Sequence, residues 1–171
     1  YIGLSNLDRV SVVPFSASVQ RRLPSARGRA QIWKILRFLE SIEPGTTTNL
    51  DTSFREFVNS TKRRGLAVVI SDFFDPEGVE RGLNLLRYSR FETILFQLGS
   101  DADRTPRLGG EIELRDRETE RTVRMRVTAS TLRRYQEAYD AHISDLEAIA
   151  RRHQSLYFRA PIELPFDDLV L

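Results

Sequence analysis

Cysteine is absent from this sequence. Disulfides, cysteine-ligated zinc and cysteine nucleophiles are excluded with it, and an intracellular setting is favoured. Lysine is almost absent too. Lys34 and Lys62 are the only two, so arginine supplies 24 of the 26 cationic side chains. No apolar run approaches the roughly 20 residues that cross a bilayer, so no transmembrane helix is expected here. No signal-peptide pattern opens the chain, and its first residue is Tyr1, not methionine. The sequence also lacks G-x-S-x-G, a Walker loop and G-x-G-x-x-G, which removes the commonest hydrolase, nucleotide and dinucleotide signatures.

What is present suits one globular domain. The chain has 171 residues, 40% of them apolar and 29% charged. A domain near this size hides roughly 70% of its unfolded surface. The 26 cations against 24 anions leave a net charge of +2. So small an excess produces little long-range field.

The apolar pattern divides the chain into elements. Residues 1–7 read as the last turn or two of a helix. Residues 9–15 (R-V-S-V-V-P-F) are rich in β-branched side chains and read as a strand, interrupted by Pro14. Residues 16–23 alternate and predict an edge strand hairpinned to it. From 28 to 42 the spacing of Ile32, Trp33, Ile35, Leu36 and Leu39 predicts an amphipathic helix, stopped by Pro44-Gly45. A second helix is expected over 51–64, capped by Thr48 or Asn49 and ended by Gly65. The continuous run 66–70 (L-A-V-V-I) fits a strand covered on both faces. A turn at Asp75-Pro76-Glu77-Gly78 leads to a helix over 77–89 and a strand over 92–98.

Alternation of strands and helices points to an α/β fold with a mostly parallel sheet. Residues 111–115 and 122–127 break the pattern. Each alternates apolar and charged residues, which predicts an inserted antiparallel hairpin with one wet face. A long helix follows over 130–153, with Ser130 as its cap, then a last strand at 155–159.

Few residues carry recognisable chemistry. Asp72 follows a buried strand, and α/β sheets bind ligands outside the carboxyl ends of their strands. A carboxylate there can hold Mg²⁺; equally, it can cap a turn. Thr48 offers a hydroxyl in a polar loop, for a cation or for a helix cap. His142 and His153 are eleven residues apart on one expected helix. That is about three turns, too far for a joint metal site. His142 is expected on the helix surface. Arginine pairs at 21–22, 63–64, 133–134 and 151–152 raise a nucleic-acid reading, but acidic residues such as Glu111, Glu113 and Glu118 interrupt them.

Several stretches together resemble a known family. These are D-R-V-S-V-V-P-F-S at 8–16, G-R-A-Q-I-W-K-I-L-R-F-L-E at 28–40 and E-P-G-T-T-T-N-L at 43–50. R-R-G-L-A-V-V-I-S-D-F-F-D-P-E-G at 63–78, E-I-E-L-R-D-R-E-T at 111–119 and Y-Q-E-A-Y-D-A-H at 135–142 complete them. The chain resembles the C-terminal domain of the bacterial domain-of-unknown-function family 58, over nearly its whole length. The resemblance implies a single three-layer, Rossmann-like domain of the von Willebrand factor type A kind over 1–171. It also implies a central first strand upstream of Tyr1, in a βα portion of roughly 20–30 residues. A gap between the 9–15 and 66–70 strands is then expected.

In such folds a metal ion-dependent adhesion site uses D-x-S-x-S, a threonine and an aspartate. By resemblance Thr48 and Asp72 take the second and third places, while D-x-S-x-S does not occur. Mg²⁺ is therefore expected to bind weakly or not at all. The resemblance further implies a non-catalytic interaction module with a protein partner, a MoxR-type AAA+ ATPase, acting in assembly or maturation of other proteins. The expected location is cytoplasmic, or tethered to the inner membrane by an upstream segment. The rival readings are a Mg²⁺-dependent phosphate hydrolase, which needs Asp72 and Asp75 to converge in an open pocket, and an arginine-based nucleic-acid binder.

Overall fold

The structure is a computed structural model that describes residues 1–43, 45, 47–75 and 78–163. The expected helix stop at Pro44, the middle of the Pro76-Glu77 turn and the tail beyond 163 lie outside the described residues. Three strands form a parallel sheet: β3 (Leu66–Ser71), β4 (Glu92–Gly99) and β7 (Leu156–Pro161), in the order β3-β4-β7. The register is unbroken, from Leu66 opposite Glu92 to Ser71 opposite Gln97. The α/β fold with a parallel sheet and an inserted antiparallel hairpin is therefore what the chain adopts.

Helices α3 (Leu50–Ser60), α4 (Glu80–Tyr88) and α6 (Ala129–Arg152) supply one layer over this sheet. Leu50, Phe54, Leu83, Leu86, Leu146 and Ala150 pack there with Val69, Phe73 and Leu95 of the sheet and its exit. Helices α3 and α4 approach very closely. A Cβ on Gly82 would lie 2.0 Å from Phe54 Cδ2, so only glycine fits there.

The opposite face of the sheet is largely uncovered among the described residues. Val68 and Ile70 are 48% and 57% exposed, and Phe158 is 47% exposed. The both-face burial expected of L-A-V-V-I is thus met on one face only. Of the three layers expected, the helix layer and the sheet are the two seen against each other.

A second, smaller core lies at the N-terminal end. Helix α1 (Ile2–Ser5), strands β1 (Val10–Val12) and β2 (Leu23–Ala26), and α2 (Ile32–Glu40) enclose Leu4, Leu23, Ala26 and Ile35. A 3₁₀ turn at Arg29–Gln31 leads into α2. Strands β1 and β2 pair with each other in a separate sheet, and β3 forms an edge of the three-stranded one. The stripe on α2 is only partly used: Ile35 is buried while Trp33 is 69% exposed.

Several boundaries differ from expectation, each for a local reason. The partner strand of β1 is Leu23–Ala26, not 16–23. A tight turn forms first, with the Ser16 N–H donating to the Ser18 carbonyl and Gln20 N–H to Pro14. Helix α3 stops at Ser60, because Thr61 is extended at φ −111 and ψ 104. Helix α4 begins after Gly78, whose φ of +77 is incompatible with a helix. The cap of α6 is Thr128, not Ser130: its hydroxyl accepts the Thr131 N–H at 3.3 Å. A short helix, α5 (Asp101–Arg104), was not anticipated; Ser100 and Asp103 form a capping box on it. The hairpin comprises β5 (Gly110–Arg115) and β6 (Thr122–Val127).

The asymmetric sheet generates a contrast. Leu95 is fully buried, so Leu95→Ala should cost about 2–5 kcal/mol. Val68→Ala, on the open face, should stay within about 0.5 kcal/mol. Urea denaturation of the two variants measures both; equal losses would contradict the one-sided core.

Candidate docking site at the strand ends

The parallel strands end together at Ser71, Gly99 and Pro161. Asp72 is the first residue beyond β3, and its side chain is exposed. Its Oδ1 accepts the Phe74 N–H at 3.3 Å, and Ser71 Oγ accepts the Phe73 N–H at 3.1 Å. Between them Phe73 takes φ +60, a left-handed conformation that costs a bulky residue about 1–3 kcal/mol. The kink sends Phe73 into the core and turns Phe74 outward. Gln97, fully buried beneath, donates from Nε2 to the Asp72 carbonyl at 3.5 Å. The Tyr157 hydroxyl donates to Gln97 Oε1. Burial pushes the Tyr157 phenol above its ordinary pKa.

The Thr48 loop is held from two sides. The Asn49 N–H and the Ser53 hydroxyl both donate to the Ser16 carbonyl, at 2.9 and 3.3 Å. On the other side the Leu50 N–H donates to Asp75 Oδ2 at 2.5 Å. Asp75 is only 8% exposed, so this bond is sheltered from water. Asn49 is the helix cap, its Oδ1 accepting the Thr52 N–H at 2.8 Å. That leaves Thr48 free of capping. Its hydroxyl instead donates to Glu118 Oε1, at the tip of the β5–β6 hairpin, at 3.0 Å.

Thr48 and Asp72 thus lie on neighbouring loops joined through Asp75. Mg²⁺ asks for near-octahedral oxygen ligands, with one or two carboxylates and several waters. Among the described residues no group of three or more His, Cys, Asp or Glu side chains could hold a metal. One exposed carboxylate and one hydroxyl whose proton points at Glu118 do not by themselves fit a resident Mg²⁺. Asp75, the second carboxylate that the hydrolase reading named, is buried and bonded to the α3 terminus, while Asp72 is exposed.

His142 corrects an expectation. It is half-buried, not on the helix surface, and stacks on Phe74 with ring centres 4.8 Å apart. Its Nε2 is buried without a hydrogen-bond partner among the described residues. Burial lowers its pKa, while the charges of Asp145 and Asp72 oppose the shift. His153 lies elsewhere, 3.4 Å from Glu80 Oε1. Gln97, Glu118 and His142 were missed as site residues. For Gln97 the signal was a polar residue inside an apolar strand; for Glu118 and His142 only tertiary packing reveals the role.

Beside this cluster Glu163, beyond β7, accepts from the Ser100 hydroxyl at 2.5 Å and the Asp101 N–H at 3.0 Å. These bonds, led by that from Ser100, hold its carboxyl below the usual range. Some of the arginines are paired with acids: Arg104 with Asp140 at 2.8 Å, Arg124 with Glu113 at 2.6 Å and Arg152 with Glu80 at 2.5 Å. No helix among the described residues is long and apolar enough to cross a membrane.

A parallel sheet with helices packed on it and polar loops at its carboxyl end defines an α/β domain. The chain belongs to the family described as protein of unknown function DUF58, which matches residues 1–145. Two solved structures share its fold. One is the conserved hypothetical protein BatB from Bacteroides thetaiotaomicron, 17% identical, with a TM-score of 0.54 over 91% of this chain and 72% of that one. The other is an aerotolerance-related membrane protein from Bacteroides fragilis NCTC 9343 carrying multiple mutations to serines. It is also 17% identical, with a TM-score of 0.54 over 91% of this chain and 73% of that one. No curated protein matches the chain.

Two outcomes follow from the geometry. Asp75→Ala leaves the Leu50 N–H buried and unpaired, which should cost about 1–3 kcal/mol in urea unfolding. Asp75→Asn keeps an acceptor and should recover much of that loss. For His142, the unfolded chain binds a proton at higher pH than the folded one. The stability tied to the neutral ring is therefore full above about pH 6.5 and lost as pH falls from there toward the lowered folded value. In His142→Phe the urea midpoint should depend less on pH across that window than in the wild type.

Proposed function

We propose that this domain is a non-catalytic docking module that binds a protein partner over its strand ends, through the loops carrying Thr48 and Asp72. The partner is a MoxR-type AAA+ ATPase, and the work is assembly or maturation of other proteins. One observation carries the docking reading. Three loops, from Ser16, Thr48 and Asp72, are fixed by buried or part-buried bonds to Ser16 O, Asp75 and Gln97, yet present polar groups outward. Fixed scaffolding under exposed polar groups suits recognition, because little ordering entropy is lost on binding. The ATPase rests on the family resemblance alone. Mg²⁺ has a weak, accessory part at most, since the donor set is short of ligands.

The test is binding of this domain to the MoxR-type ATPase of its own organism, by biolayer interferometry. Asp72→Ala should weaken binding about ten-fold, and Arg63→Ala, at the opposite end of β3, should not. Wild-type affinity in Asp72→Ala, or no binding by the wild type, would overturn the reading. Excess EDTA should change the affinity less than two-fold.

A further inference from the structure

The β5–β6 hairpin is an arm with a firm tip and a loose base. At the tip Asp116 Oδ1 accepts the N–H groups of Glu118 and Thr119, at 2.8 and 3.1 Å. The Asp116 N–H donates to Arg121, and Glu120 N–H to Asp116. A bond from the Thr119 side chain, followed by those from the Thr119 and Glu118 N–H groups, holds the Asp116 carboxyl below its ordinary range. The turn is therefore shaped by its own residues and not by the body of the domain. Along the arm nearly every side chain is exposed, and only Val127, at its exit into α6, is buried. The base opens with Gly109-Gly110, and Gly110 has φ +79. A two-stranded hairpin without a packed face is marginally stable alone. Among the described residues, the bond that returns this one to the domain at its far end is the Thr48 hydroxyl donating to the Glu118 carboxylate.

We propose that the hairpin is a strap that closes over the Thr48 loop, with Glu118 as its latch. In the closed form the Thr48 hydroxyl is already engaged by an internal carboxylate. Opening frees that hydroxyl for an acceptor on the partner protein. The strap therefore taxes docking: the apparent affinity falls with the fraction of molecules that are open. This regulatory role rests on the docking reading above, whereas the closure itself does not.

The lack of cysteine provides the test. Spin labels on Arg117→Cys, beside the latch, and Asn59→Cys, on the exposed side of α3, report the strap by pulsed electron resonance. The parent should show one dominant distance. A single hydrogen bond contributes about 0.5–1.5 kcal/mol net, so Thr48→Val and Glu118→Ala should each shift the closed-to-open ratio about two- to ten-fold toward longer distances. The two changes together should add nothing further. Distances unmoved by either change would sink the strap and leave the docking reading standing. In unlabelled protein, Glu118→Ala should bind the ATPase more tightly by a similar factor. If the strap opens in Glu118→Ala while the wild type and this variant both fail to bind, closure is upheld and the docking reading falls.

Discussion

The buried hydrogen bond from the Leu50 N–H to Asp75 is the contact on which the site depends. It joins the start of α3 to the exit of β3, two segments 25 residues apart in sequence. Leu50 is wholly buried and anchors the main core, so its neighbour Asn49 cannot drift. Thr48 is held one residue further out. On the other side of the bond, Asp75 ends the short loop that begins at Asp72. Asp75 thus has an architectural part, holding the start of α3 against the β3 exit. The exposed Asp72 and the Thr48 hydroxyl on Glu118 are held in place around this third, buried carboxylate.

The strand-to-helix rhythm was plain in the sequence because its cause is local. L-A-V-V-I has strand length, Asn49 is a good cap, and the alternation in 111–115 and 122–127 has only one sensible pairing. What escaped was set by tertiary context. The left-handed Phe73 cannot be read from S-D-F-F, since nothing there demands a positive φ. His142 looks like a surface residue on its helix because its neighbour, Phe74, belongs to a distant loop. Helix ends failed where one residue decides them, as Gly78 does for α4. The Ser100–Asp103 capping box was legible and was overlooked, because four residues give no periodicity.

The site was half legible. The sequence names Thr48 and Asp72, which lie on two loops joined by the Leu50–Asp75 bond. The Thr48 hydroxyl points to an acceptor 70 residues away, which no spacing rule could supply. The arginine excess resolves differently. Arg104, Arg124 and Arg152 are each bonded to a carboxylate, so these cations stitch elements together or sit within local pairs. Exposed pairs of this kind contribute about 0–1 kcal/mol each. Their value here is geometric, as when Arg104 ties α5 to α6.

The open edge of β3 has one more meaning. Its outward backbone groups run alongside Leu66 to Ser71 and stop at the residue before Asp72. A strand laid against that edge would find its bonds in the main chain, almost regardless of its own side chains. It would extend the sheet in its own plane and widen the exposed face to which Val68 and Ile70 belong. The open edge and the Asp72 loop therefore meet at Ser71, where β3 ends.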